Sequence, residues 1–195
     1  MITTNVTAGK PKVAGAIFRA ALGTTLPTEA TSELSSDWKE IGYCSEDGVT
    51  NENSRESETI KAWGGDTVLA VQTGKTDKFK ATWIETLNLE TLKAVHGEDN
   101  VSGTLETGIS ISVNSKELDA SAYVIDMLLR DSAIKRIVIP NAKISEVGEV
   151  VYSDNEVVGY PVTLECMPDS DGNTHHEYIL RASSTTDDST DTTEP

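Results

Sequence analysis

Apolar and polar residues alternate most strictly near the end of the chain. There Val158, Tyr160, Val162, Leu164 and Cys166 fall on one side of an extended backbone, which predicts a strand with one buried face. Ile144–Val151 reads as its hairpin partner, with the reversal about Ser153-Asp154-Asn155. Pro161, which has no N–H to give a ladder, predicts an edge or a bulge within that arm. The same period runs through Asp77, Phe79, Ala81 and Trp83, with Lys78, Lys80, Thr82 and Ile84 opposite. Just before it, Val68-Leu69-Ala70-Val71 is apolar on both faces, the pattern of a strand covered on two sides. Trp63-Gly64-Gly65 is turn material, and Gly74-Lys75 predicts a tight reversal between the two runs.

The period changes at Asn88. Leu89, Leu92 and Val95 recur at helical spacing, Asn88 is suited to the N-cap and Gly97 to the stop, so a short helix is predicted over 88–96. His96 falls at its C-terminal end, where a cation favours the helix dipole. Further strands are expected at 12–20, 38–44, 105–113, 123–129, 134–139 (ended by Pro140-Asn141) and 175–181. Residues 46–58, EDGVTNENSRESE, are polar throughout and read as a long loop. The expectation is a mainly β protein with a small α component: an antiparallel β-sandwich or barrel of about eight or nine strands flanked by one short helix. It divides into a flexible segment 1–12, one domain over 13–181, and a disordered acidic tail 182–195 in which four acids face no base.

Charge narrows the functions. With 195 residues, 16 Lys plus Arg and 32 Asp plus Glu, the net charge is −16. Binding nucleic acid by counterion release needs the opposite sign. No apolar run approaches a bilayer span, and MITTNVTAGK lacks an apolar signal core, so the chain is expected to be made and kept in a cytoplasm. Cys44 and Cys166 read as two small buried hydrophobes in a reducing compartment.

Chemical motifs are scarce. His175 and His176 are adjacent on a strand, point to opposite faces and cannot share a metal, so no metal site is assigned. Gly64-Gly65-Asp66 and Gly103–Gly108 lack the Lys-Ser/Thr of a phosphate loop, and there is no Gly-x-Ser-x-Gly elbow. No catalytic residue and no cofactor is expected, and the chain does not read as an enzyme. The acid excess acts as a field rather than as an acid–base pair.

Three segments taken together, GAIFRAALGTTLPTEA (15–30), IGYCSEDGVTNENS (41–54) and KAWGGDTVLAVQTGKTDKFKATWIETLNLETLKAVHGEDNV (61–101), carry a resemblance. The downstream stretches 123–150 and 159–179 continue it. The chain resembles the major tail (tail tube) proteins of long-tailed, non-contractile bacteriophages of Gram-positive hosts. That resemblance implies a β-sandwich with a flanking helix, assembled as hexameric rings that stack into a hollow tube for DNA ejection. It implies self-contacts in the ring and the stack, and as partners the tape-measure protein, tail terminator, distal tail protein and tail chaperones. The expected location is the virion tail. Related ring-forming head–tail or terminator proteins, and a surface carbohydrate-binding sandwich, are the alternatives. A tube wall of net negative charge would let DNA pass without sticking. For ring stacking the polar segment supplies Asp47, Asn51, Glu52, Asn53, Arg55, Glu56 and Glu58 as candidates.

Overall fold

The computed structural model describes residues 5–11 and 16–181. In chain order these form β1 (Lys10–Pro11), β2 (Ile17–Ala21), β3 (Lys39–Gly42), β4 (Cys44–Lys61), β5 (Thr67–Trp83) and α1 (Leu89–His96). Then follow β6 (Val101–Thr104), β7 (Gly108–Ile111), β8 (Ser121–Leu128), β9 (Ala133–Val147), β10 (Tyr160–Cys166) and β11 (His176–Arg181). One antiparallel sheet runs β3-β2-β8-β9-β10-β5-β4, with β1 added to β8 and β11 to β9, while β6 and β7 form a separate small hairpin. The expected tail 182–195 and the start of the expected strand 12–20 lie outside the described residues.

The mainly β expectation holds, and the sheet closes over itself as a sandwich. Ile17 of β2 and Ile125 of β8 meet Phe79 and Trp83 of β5 and Val162 and Leu164 of β10 in one apolar cluster. The Trp83 and Tyr123 rings pack at 6.5 Å between centroids across the same layer. Fully burying side chains of this size stabilises the fold by about 1.5–3 kcal/mol each. A second, smaller cluster lies on the other face of β2, β8 and β9, where Trp38, Leu26 and Leu34 pack over Ala20, Val124 and Val138.

Beneath that second cluster is a buried ion pair. Arg136 of β9 donates from Nε and Nη2 to the two oxygens of Asp126 on β8, each at 2.7 Å. Its Nη1 donates to the Ser32 carbonyl at 2.8 Å and reaches the Glu29 carbonyl at 3.3 Å. One guanidinium therefore ties the loop between β2 and β3 to the sheet.

The helix stands where the sequence puts it. The Asn88 side chain accepts from the Glu90 N–H at 3.0 Å, and Gly97 stops the helix at φ 99°, a conformation costly for any other residue. Leu92, Ala94 and Val95 are buried, and Thr91 donates to the Ile41 carbonyl at 2.6 Å, which pins the helix to β3. His96 lies in the last turn of the helix as expected, but its ring packs edge-on to Tyr160 and burial lowers its pKa, which disfavours the cation.

Several expectations are corrected. Residues 46–58 are not a loop but most of β4. No reversal occurs at Gly74-Lys75: Gly74 lies within β5 opposite Glu56, and the chain turns instead at Ala62–Asp66. There the Gly65 N–H donates to the Ala62 carbonyl at 3.0 Å, with Gly64 and Gly65 at φ 119° and 100°. Val68–Val71 is exposed in this chain rather than covered on two sides. The expected strand 105–113 is broken, with Leu105 to Thr107 forming the turn between β6 and β7. Pro140 does not end β9. It sits in a bulge, where Pro140 and Asn141 oppose the single residue Ala122 between the Ile139–Tyr123 and Ala142–Ser121 pairs and a missing N–H is tolerated. Within the expected flexible segment 1–12, Lys10 and Pro11 pair with Leu128 and Met127.

Candidate assembly site

From Asn51 to Thr73 every residue is exposed, although β4 and β5 remain paired rung by rung. The reason is the end of the third strand. Pairing of β10 with β5 runs from Tyr160–Trp83 to Glu165–Lys78 and no further. Beyond Lys78 the two strands leave the body as a free arm. A two-stranded ribbon alone in water is marginally stable. Both of its edges carry unpaired backbone groups, since β4 ends the sheet order and β5 has lost β10.

The far half of the arm is also apolar. Ile60 lies opposite Leu69, and both project with Val71 and Val68 into solvent. At the tip Trp63 is fully exposed. Tryptophan is among the residue types most enriched at the hot spots of protein interfaces.

The arm's root is polar and closely bonded. Asp77, on the core side of β5, is buried. Its carboxylate accepts from Asn51 Nδ2 at 2.8 Å, from the Thr174 hydroxyl, and from His175 Nδ1 at 2.6 Å. Burial pushes the Asp77 carboxyl up, but the bonds from Thr174, Asn51 and His175 outweigh it and hold it below its ordinary value. His176 turns the other way and bonds Asp169 at 3.0 Å.

The sequence candidates divide between root and arm. Asp47 lies where the register between β4 and β5 slips, and lines a shallow recess with Glu146 and Pro161. Asn51 bonds Asp77 as described, and Asn53 is the rung opposite it. Glu52 accepts from Lys80 at 2.6 Å, and this contact lowers the Glu52 carboxyl and raises the Lys80 amine from their ordinary values. On the arm itself Arg55 bonds Gln72 at 3.2 Å, Glu56 faces Gly74 and Glu58 faces Val71. The candidates therefore fall on one structure. Sequence reasoning missed its apolar members, Ile60, Trp63, Val68, Leu69 and Val71, whose signal was the two-faced apolar run beside a Trp-Gly-Gly turn.

The outer face of the β9–β10–β5–β4 layer is charged but neutralised in pairs. Lys80 meets Glu52 at 2.6 Å, Lys78 meets Glu165 at 3.8 Å, and Lys143 bonds Glu117. Both cysteines are reduced and largely enclosed. Burial raises the Cys44 thiol to about 11, and burial with the nearby Asp77 and Glu165 charges raises Cys166 to about 12. Among the described residues no helix is long and apolar enough to cross a membrane.

A sandwich body with an arm that leaves pairing edges and apolar surface unused has the form of a structural building block. Residues 5–190 match the family described as phage tail tube protein, and the chain belongs to that family. It is accordingly a structural component of a phage tail. No curated protein matches the chain.

Proposed function

We propose that the protein polymerises as stacked rings, hexameric by family resemblance, into the tube through which phage DNA is ejected. The observation that carries this reading is the arm. It has two open edges and an apolar tip that one chain leaves in water, and neighbouring copies are the chemically matched cover. An arm of one copy meeting a different surface of the next is a heterologous contact, which closes into a ring or propagates as a stack. Asp47, Asn51, Glu52, Asn53, Arg55, Glu56 and Glu58 then belong to the stacking element. Glu56 and Glu58 act at its surface, and Asn51 and Asn53 act at its root.

The lumen is assigned to a face that does not hold phosphate. A net charge of −16, with Lys78, Lys80 and Lys143 each beside a carboxylate, supports a wall that repels or ignores the duplex. The tape-measure protein, tail terminator, distal tail protein and tail chaperones are the partners this role requires, and assembly takes place in the host cytoplasm. Residues 13–181 act as one domain, with 182–195 as an acidic extension.

The test is electron microscopy of concentrated full-length protein beside a variant in which residues 54–76 are replaced by a two-residue turn. Rings or tubes from the parent and none from the variant support the reading. Tubes of equal length and yield from both overturn the arm's role.

A further inference from the structure

A ribbon that leaves a sheet pivots about its last three-stranded rung unless something else fixes it. Here that rung is Glu165–Lys78, and Asp77 is the first β5 residue beyond it. In place of the missing strand stands one buried carboxylate gathering donors from two other segments. Asn51 comes from β4 on the rung of Phe79, just inside the three-stranded body; Thr174 and His175 come from the segment that enters β11. That segment is fixed to the body, because β11 pairs with β9 from His176–Val138 onward and the His175 ring packs edge-on to the core Phe79 at 5.2 Å. Lys75, two residues out along the ribbon, adds a second tie by donating to the Thr174 hydroxyl at 3.2 Å.

The leverage at this point is large. From Asp77 to the turn the arm spans about eleven residues, or about 36 Å at strand rise, so a tilt of about 5° at the root moves the tip by about 3 Å. That is the difference between an anchor seated in a partner's recess and one outside it.

We infer that Asp77, with Thr174 and His175, is the positioning device that sets the arm's angle to the body. It determines how well a copy joins a growing tube without itself touching the neighbour. The consequence for assembly rests on the arm-mediated reading above, while the angular constraint is a property of the isolated chain.

The experiment places spin labels on Asp66→Cys near the tip and Glu146→Cys on β9 of the full chain, kept dilute enough to remain unassembled. Cys44 and Cys166, enclosed, label poorly beside these exposed positions. The distance distribution and the rate of tube growth are then read in Asp77→Leu and Asp77→Asn. Leu fills the space but accepts nothing. Asn keeps one acceptor oxygen for Asn51 and presents an amide to Thr174 and His175, both able to accept. The expected result is a distribution at least twice as broad and growth at least tenfold slower in Asp77→Leu, with Asp77→Asn restoring most of both. Should Asp77→Leu fail to fold, Thr174→Ala with His175→Ala removes the donors from the body side and is read in the same way. A parental distribution width in the variant lacking the node overturns the inference. A broadened distribution with unchanged growth overturns its link to assembly. Loss of tubes on arm removal tests the functional reading separately, since the distance measurement needs no tubes.

Discussion

Ile60 and Leu69 stand directly opposite each other across the β4–β5 arm, 53 % and 52 % exposed, with no second layer over them among the described residues. Cross-strand apolar pairs stabilise a sheet when packed against a second layer. In the proposed assembly the second layer is a neighbouring copy. Ile60→Thr with Leu69→Thr is expected to change the unfolding free energy of the isolated chain by no more than about 0.5 kcal/mol, as for surface sites generally. Tube growth followed by light scattering is expected to fall at least tenfold. A loss of monomer stability without an assembly defect would show that the pair is covered within the chain.

The Asp126–Arg136 pair is expected to behave in the opposite way. Removing either partner leaves a buried charge unpaired and costs about 3–5 kcal/mol. Arg136→Ala also releases the Ser32 and Glu29 carbonyls, so the loop over Trp38 loosens. Urea unfolding of Arg136→Ala and Asp126→Ala measures the cost. The double variant Asp126→Leu/Arg136→Met is expected to recover much of it, because an apolar pair of similar volume needs no desolvated charge.

His96 makes stability depend on pH in a defined direction. Burial lowers its folded pKa below the unfolded value of about 6.5, so between the two the unfolded chain binds more protons. Its contribution is therefore complete above about pH 6.5 and declines as the pH falls from there through the folded pKa. His96→Gln is expected to flatten that part of a plot of denaturation midpoint against pH.

The cysteines provide a check on the folded body. With thiols raised to about 11 and about 12, Cys44 and Cys166 are almost wholly protonated at neutral pH, and the thiolate is the reactive form. Disulfide-exchange reagents at neutral pH are expected to label both far more slowly than a model thiol, and fully only on denaturation.

How much was legible in the sequence follows from what covers each element. The helix was readable because Asn88, Leu92, Val95 and Gly97 are local signals whose packing the same chain satisfies. The strand Tyr160–Cys166 was readable because one face is buried and the other is not. Residues 46–58 escaped for the reverse reason. A strand with water on both faces has no alternation to display, so Glu52, Asn53 and Glu56 look like loop residues. The run Val68–Val71 was read correctly as a strand but wrongly as one covered on two sides, since no described residue covers it. Pro140 misled because a bulge, which depends on the partner strand's register, absorbs it. The Asp77 node had no sequence signal, since Asn51, Asp77 and Thr174-His175 are brought together only by the fold.

The central claim is that the arm is finished by other copies of the same chain. A helical cryo-electron-microscopy reconstruction of tubes grown from the purified protein tests it most directly. The account predicts residues 54–76 of every subunit paired at an edge or packed against a neighbour, with Trp63 buried in the contact. Arms projecting free into solvent from well-formed tubes would contradict it.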